Sequence, residues 1–265
     1  MTDSLWFNYC SPGKDNKMNF FCFPHAGSGA AAYAGWGDII SKQFDYFPVQ
    51  YPMRENRMDE AMPADLRQLA ARIATDNIDA FTQKPFVMFG QCLGAYIAYE
   101  TALQVQRLSG CKPKLLVASG SPSPGNTFKA QFTENTDNST IAEYFIRLGY
   151  IGKDLAENKM YLDFFMPVLR ADYILMQTYK PAEPGCLDCP VLAVYGGDDA
   201  EVTRGNLDEW KHYISGTLIK KEYCGGHFCI NADTLDTLLQ DIRDCVKASQ
   251  PDKTSGRTEN ICIQK

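Results

Sequence analysis

The stretch Phe86-Val87-Met88-Phe89-Gly90-Gln91-Cys92-Leu93-Gly94-Ala95 constrains this chain more than any other. An unbroken apolar run such as Phe86 to Phe89 has no polar side to show to solvent, so it reads as a strand buried on both faces. Gly90-Gln91-Cys92-Leu93-Gly94 then demands a sharp turn, and the small and apolar residues from Leu93 to Leu108 read as a helix. Such a strand–turn–helix holds its central residue in a strained backbone conformation, and the flanking glycines supply the room. The turn presents the Cys92 thiol at the end of a sheet, as a nucleophile requires. Taken alone the pentapeptide also fits a buried structural cysteine, so the rest of the chain must decide.

Further strands are expected at Leu5 to Tyr9, Met18 to Phe23, Phe44 to Tyr51, Lys114 to Gly120, Val191 to Tyr195 and Leu218 to Tyr223. Helices are expected over Ala30 to Gln43 and Ala64 to Phe81, with another starting near Thr203. Apolar strands alternating with helices specify an α/β architecture, a mainly parallel sheet covered on both faces. From Ser121 to Pro184 the alternation breaks. A polar stretch gives way to helices at Ile141 to Leu148 and within Asp154 to Lys180, an insertion that reads as a lid over about 121–184. Residues 1–249 then form one domain, and the polar tail 250–265 reads as disordered.

Composition narrows the class. With 265 residues, 45% of them hydrophobic, one large core is affordable without splitting the chain. A net charge of -6 argues against nucleic-acid binding. No apolar run approaches the roughly 18–20 residues that span a bilayer, and Met1 to Asp15 lacks a signal sequence, so a cytoplasmic protein without membrane attachment is expected. The ten cysteines then read as reduced thiols. Cys186 and Cys189, with Cys224, His227 and Cys229, could compose a zinc or redox site, but the second group lacks finger spacing and His227 has a better use.

That use is as a base. His227 lies on the glycine-flanked loop Cys224-Gly225-Gly226-His227-Phe228 after a late strand. Tyr195-Gly196-Gly197-Asp198-Asp199 supplies an acid to orient it, with Asp199 preferred and Asp198 the alternative. Nucleophile, acid, histidine is the chain order of the α/β-hydrolase fold. An oxyanion needs two backbone N–H groups, which Leu93 and Ala26 would give. Neither phosphate-loop pattern occurs in Pro24-His25-Ala26-Gly27-Ser28-Gly29.

These pieces resemble the type II thioesterases of nonribosomal peptide and polyketide synthesis. Phe23-Pro24-His25-Ala26-Gly27 is similar to their F-P-x-A-G, and Pro52-Met53-Arg54-Glu55-Asn56-Arg57 to P-G-R-x-x-R. Phe89-Gly90-Gln91-Cys92-Leu93-Gly94-Ala95 is similar to F-G-H-S-x-G-A, Pro167 to Tyr173 to P-x-x-R-A-D-[FY], and Gly225-Gly226-His227-Phe228 to G-G-H-F. The resemblance implies an α/β-hydrolase fold with a helical lid. It also implies acyl or aminoacyl thioesters on the phosphopantetheine arm of a carrier protein, and no metal or resident cofactor. Arg54, Arg57 and Arg170 are candidates for guiding the acidic carrier in. Met53, Gln91 and Cys92 depart from the pattern, replacing glycine, histidine and serine. A cysteine forms an acyl-enzyme that is itself a thioester, so transfer to another thiol or to an amine competes with hydrolysis. A non-catalytic docking module of the same fold is the reading from another class, and a monomer is expected.

Overall fold

The structure, a computed structural model, describes residues 4–126, 132–133, 135–150, 152, 158–181 and 187–249. Six parallel strands form one sheet in the order β2-β1-β3-β4-β5-β6. They are β1 Asn19–Phe23, β2 Asp45–Pro48, β3 Phe86–Gln91, β4 Leu115–Ser119, β5 Val191–Gly196 and β6 Leu218–Tyr223. The period-2 alternation of strand side chains splits the core into two layers. Phe21, Phe23, Phe86, Met88, Leu116, Ala118, Val191 and Ala193 face one layer. Phe20, Cys22, Val87, Phe89, Leu115, Val117, Leu192 and Val194 face the other. Both faces of β1, β3, β4 and β5 are therefore buried, which is why these strands read as nearly continuous apolar runs, whereas the edge strand β6 is mostly half-buried.

The first layer is closed by α2 Leu66–Asp76, α3 Ile78–Thr82 and α4 Leu93–Ser109, together with the insertion helices α5 Asn138–Arg147 and α6 Lys159–Thr178. The second is closed by the 3-10 segment Ala30–Trp36, the single turn α1 Gly37–Ile40, and the C-terminal helix α7 Leu235–Ala248. Leu235, Leu238, Leu239, Ile242 and Val246 of α7 are all buried, at the spacing of one helix face. That stripe is present in the sequence as Leu235, Leu238, Leu239, Ile242 and Val246.

Four expected elements differ. Leu5 to Tyr9 makes only one isolated antiparallel bridge, Phe7 to Val49, because Tyr9 at φ 57° ends the extended path. The helix expected over Ala30 to Gln43 tightens to 3-10 up to Trp36, where Gly35 and Gly37 weaken it. Ala64 to Phe81 is broken at Asn77, whose side-chain amide donates to Ile73 O at 2.8 Å and caps α2. The helix expected from Thr203 is replaced by turns and the 3-10 segment Asp208–His212. The expected tail 250–265 and the first residues of the helical stretch expected within Asp154 to Lys180 lie outside the described residues.

Candidate active site

Open parallel sheets place their sites at the carboxyl ends of the strands. Cys92 follows β3, Ala26 follows β1, Asp199 follows β5 and His227 follows β6. Cys92 is the N-cap of α4 at φ 52°, ψ -117°, a left-handed conformation costly for a residue with a Cβ. Its N–H donates to Ser119 O at 2.9 Å, tying the turn to β4. Close approach sets the residue types around it. A Cβ on Gly94 would meet Phe23 O at 2.0 Å, so the backbone of the loop after β1 lies directly on the first turn of α4. That contact brings Ala26 and Leu93 into one neighbourhood, and the first N–H groups of a helix have no helical acceptor.

His227 Nδ1 donates to Asp199 Oδ2 at 2.9 Å, both side chains being almost wholly buried. Asp199 Oδ1 accepts from Glu201 N at 2.8 Å and Val202 N at 3.2 Å, which fixes the carboxylate plane. Burial opposes charge on Asp199, but His227 and these amides outweigh it and hold the carboxyl below its usual range. Asp198, the alternative acid, is exposed, and its N–H is engaged with Gly225 O. The Cys92 side chain lies close enough to His227 to act on its protonation, and the Tyr150 hydroxyl reaches both, at 2.6 Å from Sγ and 3.4 Å from Nε2. Burial alone would lower the imidazole's affinity for protons, yet the hydrogen bonds and charges of Asp199 and Cys92 push its pKa up to about 10.

This shift has a measurable consequence. A pKa raised in the folded state adds stability that is complete below the ordinary value near 6.5 and lost as pH climbs through about 10. Buried cysteines such as Cys22 and Cys189 are pushed up as well, from 9.0, by burial. From pH 7 to 8 they stay mostly protonated in both states, and the decline there belongs to the histidine. We expect the thermal midpoint to fall across that window, and a His227→Gln chain to lose most of the slope. Equal slopes in the two chains would rule the assignment out.

The second histidine behaves in the opposite way. Burial, then the charges of His227 and Arg54, lower the His25 pKa to about 3. The Tyr33 hydroxyl donates to Gln91 Oε1 at 2.9 Å and lies 2.7 Å from His25 Nδ1, which leaves Nδ1 as the donor. Gln91, at the family's histidine position, is thereby tied to the loop after β1.

Two features escaped the sequence reading. Tyr150, just past α5, donates its hydroxyl to Cys92 Sγ at 2.6 Å and lies 3.4 Å from His227 Nε2. And Arg54 is not a surface guide. Its guanidinium forks onto Asp172 of α6 at 2.7 and 2.6 Å, with side chains 6% and 1% exposed. Asp172 Oδ2 also accepts from Gly27 N at 2.7 Å, and Arg54 Nη1 donates to Ser28 O at 2.8 Å. The pair thus pins the loop carrying Ala26 to the insertion. Arg57 is likewise buried, paired with Glu60 and stacked 3.8 Å from the Trp6 ring. Arg170 is bonded to Thr133 O, Thr136 O and Asn138 Oδ1. The structure therefore assigns Arg54 and Arg57 to internal contacts, against the carrier-guiding expectation. No cluster of three metal-ligating side chains occurs among the described residues, and Cys186 lies outside them.

Comparison with known proteins agrees with this arrangement. The chain is 28% identical over 240 residues to the thioesterase PikA5 of Streptomyces venezuelae, covering 91% of this chain and 85% of that protein. It is 26% identical over 223 residues to the gramicidin S biosynthesis protein GrsT of Aneurinibacillus migulanus, covering 84% and 87%. It superimposes with a TM-score of 0.78 and 26% identity on RedJ, a thioesterase from the prodiginine biosynthetic pathway of Streptomyces coelicolor, covering 91% and 96%. The parallel sheet with a site at its carboxyl edge is the α/β-hydrolase fold of those thioesterases. With residues 19–246 matching the thioesterase domain, from the first core strand to the last helix, this chain belongs to the thioesterase domain family, a family of thioester hydrolases.

Proposed function

We propose that the protein releases acyl or aminoacyl groups from thioesters on carrier proteins of nonribosomal peptide or polyketide synthesis, through a triad of Cys92, His227 and Asp199. The observation that carries this reading is the buried hydrogen bond between Asp199 and His227, with the imidazole acting on the Cys92 side chain at a strained turn on the carboxyl edge of the sheet. Relatives named for gramicidin S and prodiginine biosynthesis support the substrate class.

Asp199 fixes the ring so that Nε2 serves Cys92. A thiolate beside an imidazolium attacks the thioester carbonyl, and the N–H groups of Ala26 and Leu93 hold the oxyanion. The C–S bond to the carrier's phosphopantetheine arm breaks, and the leaving sulfur takes the proton from His227. Water, with His227 as base, then cleaves the Cys92 acyl thioester to free acid. A second thiol or an amine can take the same place, and exchange between thioesters is near neutral in energy. The insertion from about 121 to 184 acts as a lid over the acyl group. The phosphopantetheine arm arrives with the substrate, and the chain uses neither metal nor resident cofactor. A cytoplasmic monomer fits this role.

The test is to incubate the protein with an acylated carrier and an excess of a second, unloaded carrier, following both by intact mass. Free acid with recovered carrier is the expected main product, and acyl appearing on the second carrier measures transfer. A p-nitrophenyl ester should react at least ~10-fold less efficiently, since only the carrier thioester brings remote binding energy to the reacting centre. No turnover of any carrier thioester, with no adduct on Cys92, would leave a docking module as the remaining reading.

A further inference from the structure

Tyr150 occupies a place that the triad reading leaves for something else. In deacylation a water must touch His227 Nε2 while facing the acyl carbonyl on Cys92 Sγ. The Tyr150 hydroxyl is already there, 2.6 Å from Sγ and 3.4 Å from Nε2. We propose that Tyr150 holds the place of the hydrolytic water and slows, without stopping, hydrolysis of the acyl-enzyme, so that acceptors able to displace the phenol compete with water. The inference rests on the Cys92 triad and adds what decides the fate of its acyl group.

The placement is built into the end of α5. Gly149 adopts φ 79°, and its N–H donates to Ile146 O at 2.9 Å. Tyr150 N donates to Phe145 O at 2.8 Å. Together these are a Schellman stop, in which a left-handed glycine turns the next residue back over the helix. The matching apolar contact is present, with the Tyr150 and Phe145 rings 5.0 Å apart. Phe228 at 4.4 Å and His25 at 5.4 Å hold the ring edge-to-face from the other sides. Burial, then the charge of Cys92, push phenol ionisation well above its ordinary range, so the hydroxyl stays a proton donor and is no nucleophile itself.

Before acylation the phenol donates to Cys92 Sγ. When the Sγ–acyl bond forms and the leaving thiol departs with the proton from His227, Sγ loses its charge and becomes a poor acceptor. Neutral Nε2 is then the better acceptor within reach, and a phenol bonded to it blocks a water from giving up its proton there. An incoming thiol on a pantetheine arm carries its own binding energy and can move the ring aside. Water carries none.

The experiment uses an acyl-N-acetylcysteamine thioester to load the whole protein, removes the excess, and divides the acyl-enzyme between plain buffer and buffer with pantetheine. Free acid and acyl-pantetheine are quantified by mass spectrometry. In Tyr150→Phe the ratio of acid to transferred product should rise roughly three- to tenfold, the scale of one hydrogen bond. Gly149→Ala keeps the phenol but strains the turn that delivers it, so the ratio should rise there too. An unchanged or lower ratio in both variants overturns the proposal while leaving the triad intact. An unsubstituted protein that forms no Cys92 adduct overturns both. Should Tyr150→Phe not fold, Gly149→Ala alone decides.

Discussion

Replacing Cys92 by alanine should abolish the acyl-enzyme and lower turnover of a carrier thioester by on the order of 10⁴-fold or more, because a triad acts as a unit. His227→Ala should cost a comparable factor, and the double replacement little beyond either single one. Additive losses would show that the two side chains act separately, although His227 bonds Asp199 and its protonation responds to Cys92. A Cys92→Ala chain with full activity would remove the nucleophile assignment altogether. Cys92→Ser is the more informative partner. A serine acyl-enzyme is an oxygen ester, so hydrolysis stays downhill while return of the acyl group to a thiol becomes uphill. Hydrolysis should survive in part and transfer to pantetheine should fall most. Intact-mass detection of the adduct, with product analysis on the same samples, separates the two steps.

The parts legible in the sequence are those dictated locally. The turn at Cys92 could be read because a buried strand, two glycines and a small-residue helix start are contiguous. Asp199 could be placed because it follows an apolar strand within a few residues, and His227 because it sits on a glycine-flanked loop just after the last strand. What could not be read depends on contacts between distant segments. Arg54 and Asp172 are 118 residues apart, and arginine is mostly exposed, so a surface role was the natural expectation. A weak signal existed, since both charges sit among buried neighbours, Tyr51 and Pro52 before the one and Leu169 and Tyr173 around the other. Tyr150 left a fainter trace, a glycine and an aromatic residue directly after a helical pattern. Local pattern could announce that stop, but not where the phenol would land. The two site histidines show the same division. Sequence offers His25 and His227 on similar small-residue loops, and only the neighbours decide that one is held neutral and the other charged.

The Arg54–Asp172 pair yields the second large effect. Asp172→Ala leaves a guanidinium buried without its carboxylate, and breaking a buried pair from one side costs about 3–5 kcal/mol. The midpoint of thermal unfolding should drop accordingly. Arg54→Met with Asp172→Leu removes both charges, so the double variant should be more stable than Asp172→Ala, a sign that stranded charge and not lost packing is responsible. Activity should separate from stability. Asp172 Oδ2 holds Gly27 N, next to the proposed oxyanion donor Ala26, and the Cβ that Gly27 lacks would strike Phe165 of α6. Without the pair the loop loses its register against α4, and one misplaced oxyanion donor costs roughly 10²–10³ in rate. The double variant, assayed well below its midpoint, should therefore fold and still acylate Cys92 at least ~10²-fold more slowly, with substrate KM changed much less. Full acylation rate in that stable variant would mean that the pair only supports the fold, and that the loop finds its position without it.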